Sequence, residues 1–201
     1  DWGSSNHIAL HNDGIDELVR HLTTLNTKKP IFISLFGTFA EMLEMVRKLN
    51  FLSLTILIEW NISCPNVQNL ALPTYEDVRA IKNICGFPIG IKINKYVSDL
   101  ALLDQVDFIV ASNTVDGMGG KCIHKHEVEL VKKLVESTNT PIIGCGEIET
   151  EKDMNDFFSV GAIAVKIGTG ILRHGIQIFS DLNSKKNYLS LLGSCEIVQY
   201  G

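Results

Sequence analysis

The chain has 201 residues, of which 45% are apolar and 20% are charged. This balance is typical of a globular protein and excludes a disordered, collagen-like or coiled-coil chain. Lys and Arg total 18 against 23 Asp and Glu, a formal net charge of -5, so the chain lacks the basic footprint expected of a protein that binds nucleic acid or an anionic membrane.

The apolar runs and the cysteines indicate the cellular compartment of the protein. No run reaches the ~18 uncharged apolar residues needed to span a bilayer, and no secretory signal is visible. The chain begins at Asp1 and not at Met, which is compatible with a natural N-terminus upstream of it. The cysteines are odd in number, widely spaced and without a CxxC pair: Cys64, Cys85, Cys122, Cys145 and Cys195. We therefore expect a reducing compartment, no disulfide scaffold and no metal site. The expected compartment is the cytoplasm, or an organelle matrix if a targeting segment was removed.

Short apolar runs alternate with amphipathic stretches along the chain. Six runs predict strands: Ile31–Phe36, Leu54–Glu59, Ile89–Ile93, Phe108–Ala111, Ile142–Cys145 and Ala162–Ile167. They are apolar nearly throughout, as expected for parallel strands that are covered on both faces. Six stretches predict helices: 14–26, 38–49, 73–85, 124–137, 151–159 and 175–189. The order predicts an α/β fold with a parallel sheet and right-handed crossovers.

A (β/α)₈ barrel needs eight such units and about 250 residues, whereas this chain offers six. An unclosed six-stranded sheet would leave two bare apolar edges. Either the sheet is open and doubly wound, or two units of a barrel are absent from this chain. No linker or repeat suggests two domains, so we expect residues 1–201 to form one.

Two segments place chemically active side chains at strand ends, where parallel α/β folds bind their ligands. The segment Asn61-Ile62-Ser63-Cys64-Pro65-Asn66 follows one strand and offers two carboxamides and a thiol that could act as a base; a turn with a packed, inert Cys is the alternative. Lys92 interrupts an apolar strand, which is costly unless its charge is used or paired. It would point toward the barrel mouth and stabilise negative charge there, or else snorkel at a strand end.

Glycine-rich turns follow the later strands. Ser112-Asn113-Thr114 ends one strand and is followed by Gly117, Gly119 and Gly120, a weak signal for close approach of backbone to a ligand. Gly144 and Gly146 follow the next strand, and Gly168-Thr169-Gly170 follows the last. Free N–H groups converge where helices start, so these turns predict a phosphate site. Glu147 would repel a phosphate unless its carboxylate is turned away.

The remaining polar residues favour structural roles. Asn12 and Gly14 suit a cap and turn before the first predicted helix. His7, His11 and His21 lack a metal-ligand spacing, and His124 and His126 are expected to be solvated at a helix start. Thr150 and Asp153 resemble a capping box.

The order of these motifs resembles the dihydroorotate dehydrogenase family from about Asn6 to Leu182, and most closely its cysteine-using class 1A branch. The most specific match is Asn-Ile-Ser-Cys-Pro-Asn at 61–66. Residues 142–182, with Gly-Cys-Gly-Glu-Ile-Glu-Thr and Val-Lys-Ile-Gly-Thr-Gly, resemble the family's flavin-phosphate region. The opening Asn-His-Ile-Ala-Leu-His-Asn-Asp-Gly resembles an N-terminal family motif, with Ala9 and His11 substituted.

The resemblance implies a (β/α)₈ TIM barrel of the FMN-linked type, here N-terminally incomplete, that oxidises dihydroorotate to orotate in pyrimidine biosynthesis. It implies that Cys64 is the base and that Lys92 lies near the flavin. The substrate would be bound by the side chains of Asn12, Asn61, Asn66, Asn113 and Thr114. Cofactor contacts would come from Asn61, Lys92, Gly119, Gly120, Gly144, Gly146, Gly168 and Thr169. It also implies fumarate as electron acceptor and a homodimer. Independently of the resemblance, the exposed edges of a truncated barrel would need a partner surface to cover them.

The sequence also departs from the family pattern. The first two βα units are absent, the loops after Cys64 and Asn113 are shortened, and Glu147 interrupts the phosphate glycines. Two alternatives to an active dihydroorotate dehydrogenase therefore stay open. One is a catalytically inactive relative with a structural or interaction role. The other is a related flavin enzyme that acts on another pyrimidine such as uracil, against which Asn66 favours dihydroorotate.

Overall fold

The computed structural model describes residues 4–5, 12–63, 72–94, 100–112, 118–119, 121–183 and 196–198. In chain order the strands are β1 (Ser4–Ser5), β2 (Ile31–Leu35), β3 (Ile56–Asn61), β4 (Ile89–Ile93), β5 (Phe108–Ala111), β6 (Met118–Gly119), β7 (Ile142–Cys145), β8 (Ala164–Lys166) and β9 (Glu196–Val198). The helices are α1 (Gly14–Thr24), α2 (Phe39–Leu49), α3 (Tyr75–Ile84), α4 (Leu100–Leu103), α5 (Lys121–Ser137), α6 (Glu151–Ser159), α7 (Thr169–His174) and α8 (Gln177–Asn183).

The main sheet is parallel and follows the chain order. Its strands lie in the order β8-β7-β5-β4-β3-β2-β9, and β1 pairs separately with β6 in an antiparallel bridge. The six predicted strands are thus confirmed and adjacent, as expected for consecutive βα units. The predicted strand Leu54–Glu59 lies two residues further along, at Ile56–Asn61, because Asn61 still pairs with Lys92 of β4.

One edge of this sheet differs from the expectation of bare edges. The strand β9 pairs in parallel with β2, from Ile31–Glu196 to Ile33–Val198. Within the described residues, the edge strands are therefore β8 and β9, and β2 is covered. This pairing joins segments more than 160 residues apart in the chain, which a local pattern could not reveal.

The sheet curls, so that side chains from non-adjacent strands meet on its inner face. The rings of Phe32 on β2 and Phe108 on β5 lie 5.5 Å apart between centroids, although β3 and β4 separate their strands. Flat sheets hold strands three positions apart at about 14 Å. The curled half-barrel of alternating β and α units belongs to a TIM barrel, and the predicted fold class is confirmed.

Two apolar cores lie on the two faces of the sheet. The larger core packs the outward side chains of the strands, such as Ile33, Ile58 and Ile91, against the helices. The smaller core lies inside the curl and is built from Phe32, Phe108, Val110 and Ile143; we call these four residues the apolar floor. A Cβ on Gly90 would lie 2.2 Å from the Phe108 ring, so the floor requires glycine at that position.

The helices agree with the sequence prediction except where they are short. The expected capping box of Thr150 and Asp153 begins α6, and similar boxes begin α2 and α3. The helices α4 and α7 were not predicted, because four and six residues are too few to show a period. No helix in the described part of the chain is both long and apolar enough to cross a membrane.

Candidate functional site

Polar side chains stand on the apolar floor at the carboxyl ends of the strands. They continue the inward alternation of β2, β3, β4 and β8 and are Ser34, Glu59, Asn61, Lys92 and Lys166. In parallel βα folds, this end of the sheet is where ligands bind. The inside of the curl is therefore apolar below and polar at its mouth.

A buried ion pair crosses this polar layer. The ammonium of Lys166 on β8 lies 3.1 Å from both carboxylate oxygens of Glu59 on β3, and 4.9 Å from the centre of the Phe32 ring. The Ser34 hydroxyl donates to Glu59 Oε1 at 2.5 Å. The Glu59 side chain is fully buried and that of Lys166 is 9% exposed. The pair therefore fastens one edge of the curl to the opposite side with four charge-assisted or cation–π contacts.

Asn61 and Lys92 lie side by side at the mouth. They are register partners on β3 and β4, and Lys92 is buried. Ile91 and Ile93 belong to the outer core, so Lys92 faces inward as predicted. Asn61 Oδ1 accepts hydrogen bonds from the N–H and the hydroxyl of Ser63, at 3.3 and 3.4 Å. These bonds fix the start of the segment that leads to Cys64.

Several predicted site residues lie outside the described residues, namely Cys64, Asn66, Asn113, Thr114 and Gly120. Gly119 belongs to β6 and pairs with Ser4. Asn12 lies just before α1, where its Oδ1 accepts the Gly14 N–H at 2.7 Å, so the expected turn is confirmed; the cap position itself is Asp13, whose side chain caps no N–H group. Because helices of βα units run antiparallel to the strands, this start lies toward the carboxyl edge of the sheet.

The two predicted phosphate turns are neighbours, because Cys145 and Lys166 are register partners. Their glycines differ in surroundings. A Cβ on Gly144 would lie 2.5 Å from the Phe157 ring, and one on Gly146 would lie 2.7 Å from Glu127 Cγ. Gly146 also has a φ of 148°, so protein packing alone explains glycine at both positions. A Cβ on Gly168 would meet nothing within 4 Å, so only that turn, among these three positions, is open to a ligand.

Glu147 is turned into the protein and not toward an open turn. Its side chain is fully buried, and Arg173 of α7 donates to its Oε1 at 3.2 Å. The same guanidinium also binds Glu149. Burial raises the pKa of Glu147 above its usual value, and Glu149 adds to the rise against the opposing charge of Arg173. The expected repulsion of a phosphate is thus reduced, because the carboxylate is paired and its deprotonation is disfavoured.

His124 corrects the expectation of a solvated histidine. Its side chain is only 14% exposed, with Nδ1 3.3 Å from the Gly146 carbonyl oxygen and Nε2 3.3 Å from Asp156 Oδ2. The ring also packs edge-on against Phe157, 5.3 Å between centroids. The helix α5 begins at Lys121, three residues earlier than predicted, which brings His124 onto the face that packs against β7. His126 is exposed as predicted.

His124 also lies within 4.8 Å of carboxylate oxygens of Asp153 and Asp156, a grouping that could hold a metal ion. However, Lys152 donates to Asp156 at 2.6 Å, and Asp153 caps α6 through Thr150. These contacts describe an ion-pair network at the start of α6. The absence of a metal site stays a prediction.

Three buried charged residues were missed by the sequence analysis, namely Glu59, Lys166 and Glu127. Glu59 and Lys166 interrupt apolar strands in the same way as Lys92, so the argument used for Lys92 would have found them. Glu127 falls between Ile123 and Val131 at a spacing of four, on the buried stripe of α5. A charge on an otherwise apolar stripe was the available signal.

The fold and the site together define a half-barrel of βα units with a polar mouth at the carboxyl ends of its strands. A sequence model of the family described as dihydroorotate dehydrogenase matches residues 76–188. The chain therefore belongs to the dihydroorotate dehydrogenase family, as the motifs predicted.

Three relatives share the name dihydroorotate dehydrogenase B (NAD(+)), catalytic subunit. The protein of Caldicellulosiruptor saccharolyticus is 30% identical, with 97% of this chain aligned to 79% of that protein. That of Malacoplasma penetrans is 26% identical, over 94% of this chain and 74% of the relative. That of Methanocaldococcus jannaschii is 28% identical, over 88% and 69%. These names do not confirm the class 1A branch.

Proposed function

We propose that this chain binds FMN and oxidises dihydroorotate to orotate, a step of pyrimidine biosynthesis. The observation that carries the proposal is the pairing of Asn61 with Lys92 at the mouth of the curl. Asn61 also begins the segment that leads to Cys64. A carboxamide and a buried ammonium side by side suit a planar, polar and electron-rich ligand. Family membership supports the same activity.

The residues present fit FMN. The Gly168 turn is open on its Cβ side, and Thr169 behind it begins α7. Glu147, which would otherwise repel a phosphate, is paired with Arg173. Gly144 and Gly146 are closed by protein on their Cβ sides, so we assign the phosphate contacts chiefly to Gly168 and Thr169 and give Gly144 and Gly146 a role through their backbone.

Each residue then has a stated task. Cys64 removes the proton from C5 of dihydroorotate, which suits a thiol whose pKa is moved toward neutrality. FMN, when bound, supplies the acceptor for the hydride that leaves the neighbouring carbon, so that the ring gains a double bond. Lys92 stabilises negative charge at the mouth, and Asn61 orients the ring. Asn12, Asn66, Asn113 and Thr114 complete the set that holds the pyrimidine and its carboxylate, with Gly119 and Gly120 near the cofactor.

The electron acceptor and the partner follow less directly. The class 1A interpretation predicts fumarate and a homodimer, whereas the relatives are named as NAD(+)-type catalytic subunits. We favour an NAD(+)-linked enzyme with a second subunit, because these relatives are named as catalytic subunits of an NAD(+)-type dihydroorotate dehydrogenase. Turnover with fumarate by the isolated chain, together with a dimeric mass in solution, would favour class 1A instead.

Visible absorbance of the purified protein tests the cofactor, and stopped-flow reduction tests the base. We expect flavin bands, and we expect Cys64→Ser to slow flavin reduction by dihydroorotate by about 10² or more, the usual contribution of a general base. The matched control is Cys85→Ser, because Cys85 caps α3 and burial raises its thiol pKa. Colourless protein that takes up no added FMN contradicts the proposal, and unchanged reduction by the Cys64 variant removes Cys64 as base.

A catalytically inactive relative is the second candidate, and the buried carboxylates near the Gly146 turn favour it. Glu127 packs against Gly146, and Glu147 follows Gly146 in the turn; two buried acidic side chains this close to a phosphate would weaken its binding. This candidate predicts that FMN does not bind while the chain remains folded. Equilibrium titration with FMN, monitored by flavin fluorescence, separates the two candidates.

A further inference from the structure

Glu127 touches the ends of two neighbouring strands at once. It lies on α5, is 2% exposed, and its Oε2 accepts a hydrogen bond from the hydroxyl of Ser112, directly after β5. The Cβ and Cγ atoms of Glu127, which we call its stem, pack on the turn after β7, where a Cβ on Gly146 would lie 2.7 Å from Glu127 Cγ. The ends of β5 and β7 are therefore held by one side chain.

His124 holds the same turn from the same face of α5. The two residues are three apart, so their side chains lie together on the helix surface. Because the Gly146 carbonyl can only accept, Nδ1 of His124 donates to it at 3.3 Å. The Ser112 N–H in turn donates to the Cys145 carbonyl at 2.9 Å. The β5 end, the β7 turn and the start of α5 thus form one hydrogen-bonded unit.

A buried carboxylate is an expensive way to fill this space. A carboxylate loses its hydration on burial and is tolerated only where hydrogen bonds replace it. An apolar residue on the stripe of Ile123 and Val131 would fill the volume without that cost. The contacts of Glu127, and not its bulk, are what the structure uses.

We propose that Glu127 is a positioning residue that couples the substrate side of the site to its cofactor-phosphate side. The inference rests on the proposed function, since Ser112 immediately precedes Asn113 in the substrate set and Gly146 belongs to the phosphate turn. Glu127 sets the distance between these two segments. It contacts neither ligand and acts through Ser112 and Gly146.

Three variants separate the contact that reaches the end of β5, through Ser112, from those that reach the turn at Gly146. Ser112→Ala removes the hydrogen bond from the Ser112 hydroxyl to Glu127. We expect the KM for dihydroorotate to rise about tenfold, the effect of one hydrogen bond to a charged group. The affinity for FMN should be unchanged. His124→Ala removes the bond to the Gly146 carbonyl together with the contacts to Asp156 and Phe157, none of which touches Ser112; we expect the Kd for FMN to rise while KM is kept. Glu127→Ala removes the contacts with Ser112 and with Gly146 together, and we expect both the KM for dihydroorotate and the Kd for FMN to rise.

Two further variants guard against a merely structural effect. Glu127→Gln still accepts from Ser112 and keeps its stem on Gly146, so we expect KM and FMN affinity within about threefold of the wild type. Glu127→Met keeps the stem but accepts no hydrogen bond; it should reproduce the Ser112→Ala effect, and it serves if Glu127→Ala does not fold. If Glu127→Gln is as damaging as Glu127→Ala, or if Glu127→Ala and Glu127→Met change neither constant, the coupling is refuted.

Amide hydrogen exchange on the protein without FMN makes this test independent of the proposed function. We expect Glu127→Ala to accelerate exchange at both Ser112 and the 146–147 turn, and Ser112→Ala to accelerate it at Ser112 only. Unchanged protection of both segments in Glu127→Ala refutes the coupling even if FMN binds. Conversely, a wild-type chain that binds no FMN but shows this exchange pattern rejects the proposed function and retains the coupling.

Discussion

The ion pair between Glu59 and Lys166 provides the sharpest test of how this half-barrel is held together. Both groups lie inside the curl, with side-chain exposures of 0% and 9%. Removing one partner leaves the other charge buried and uncompensated, which typically costs about 3–5 kcal/mol. We therefore expect Lys166→Met and Glu59→Leu each to lower the free energy of unfolding by about that amount.

The double variant should behave quite differently. Replacing a buried pair by apolar residues of similar volume is often neutral or stabilising by about 1–4 kcal/mol. Here two smaller losses oppose that gain: Ser34 loses its acceptor, about 1 kcal/mol, and Phe32 loses its ammonium, about 0.5–2 kcal/mol. We expect the double variant to lie within about 2 kcal/mol of the wild type, far above the sum of the single losses.

Equilibrium unfolding in urea measures the four proteins of this double-mutant cycle. The matched control is Lys133→Met, because Lys133 is 68% exposed and lies 3.9 Å from Glu129 on the same helix; we expect it to change stability by less than about 0.5 kcal/mol. Single variants that each cost less than about 1 kcal/mol and add in the double variant would show that water screens the pair. In that case, the cross-barrel fastening would not explain the curl.

The other predictions concern the two turns. Gly144→Ala should destabilise the fold by about 1–3 kcal/mol, since its Cβ meets the Phe157 ring at 2.5 Å, whereas Gly168→Ala should leave the melting temperature unchanged and weaken FMN binding; equal effects on both quantities would contradict the assignment of Gly168. Glu147→Gln should become more stable relative to the wild type as pH rises. The folded-state pKa of Glu147 lies above the ordinary 4.5, so its contribution is present below 4.5 and is lost as pH rises through the raised pKa. A constant difference in melting temperature between pH 4.5 and 7.5 would exclude this titration. The same variant should also tighten binding of inorganic phosphate in a calorimetric titration, because Arg173 loses a competing carboxylate; unaltered affinity would place the phosphate away from Arg173.

The strands could be predicted because each is a short apolar run, such as Ile89–Ile93, between turn residues. What a run of this kind cannot show is which side chains face inward. Phe32 and Ile33 are both apolar and both buried, yet they belong to different cores. The curl that separates them depends on contacts such as Phe32 with Phe108, which lie far apart in the chain.

The candidate site could be predicted only in part for a related reason. Lys92 stood out because a single charge interrupts a strand, and its inward direction is confirmed. His124 was misjudged because its partners, Gly146 and Asp156, come from later elements that a helix-start pattern does not reveal. The role of Glu127 depends on Ser112 and Gly146 coming together, which requires the order of β5 and β7 in the sheet.

The two inward lysines cannot share one task, although both are buried near the mouth. The charge of Lys166 is balanced by two bonds to Glu59 within the barrel, so its field at the mouth is that of a neutral pair and falls off steeply with distance. Lys92 instead lies beside a carboxamide, because Asn61 on the neighbouring strand β3 is its register partner. The proposed function therefore assigns the stabilisation of negative charge on a bound ring to Lys92 and not to Lys166. On the same proposal the role of Lys166 is indirect, because its bond to Glu59 keeps β8 and the Gly168 turn at a set distance from β3.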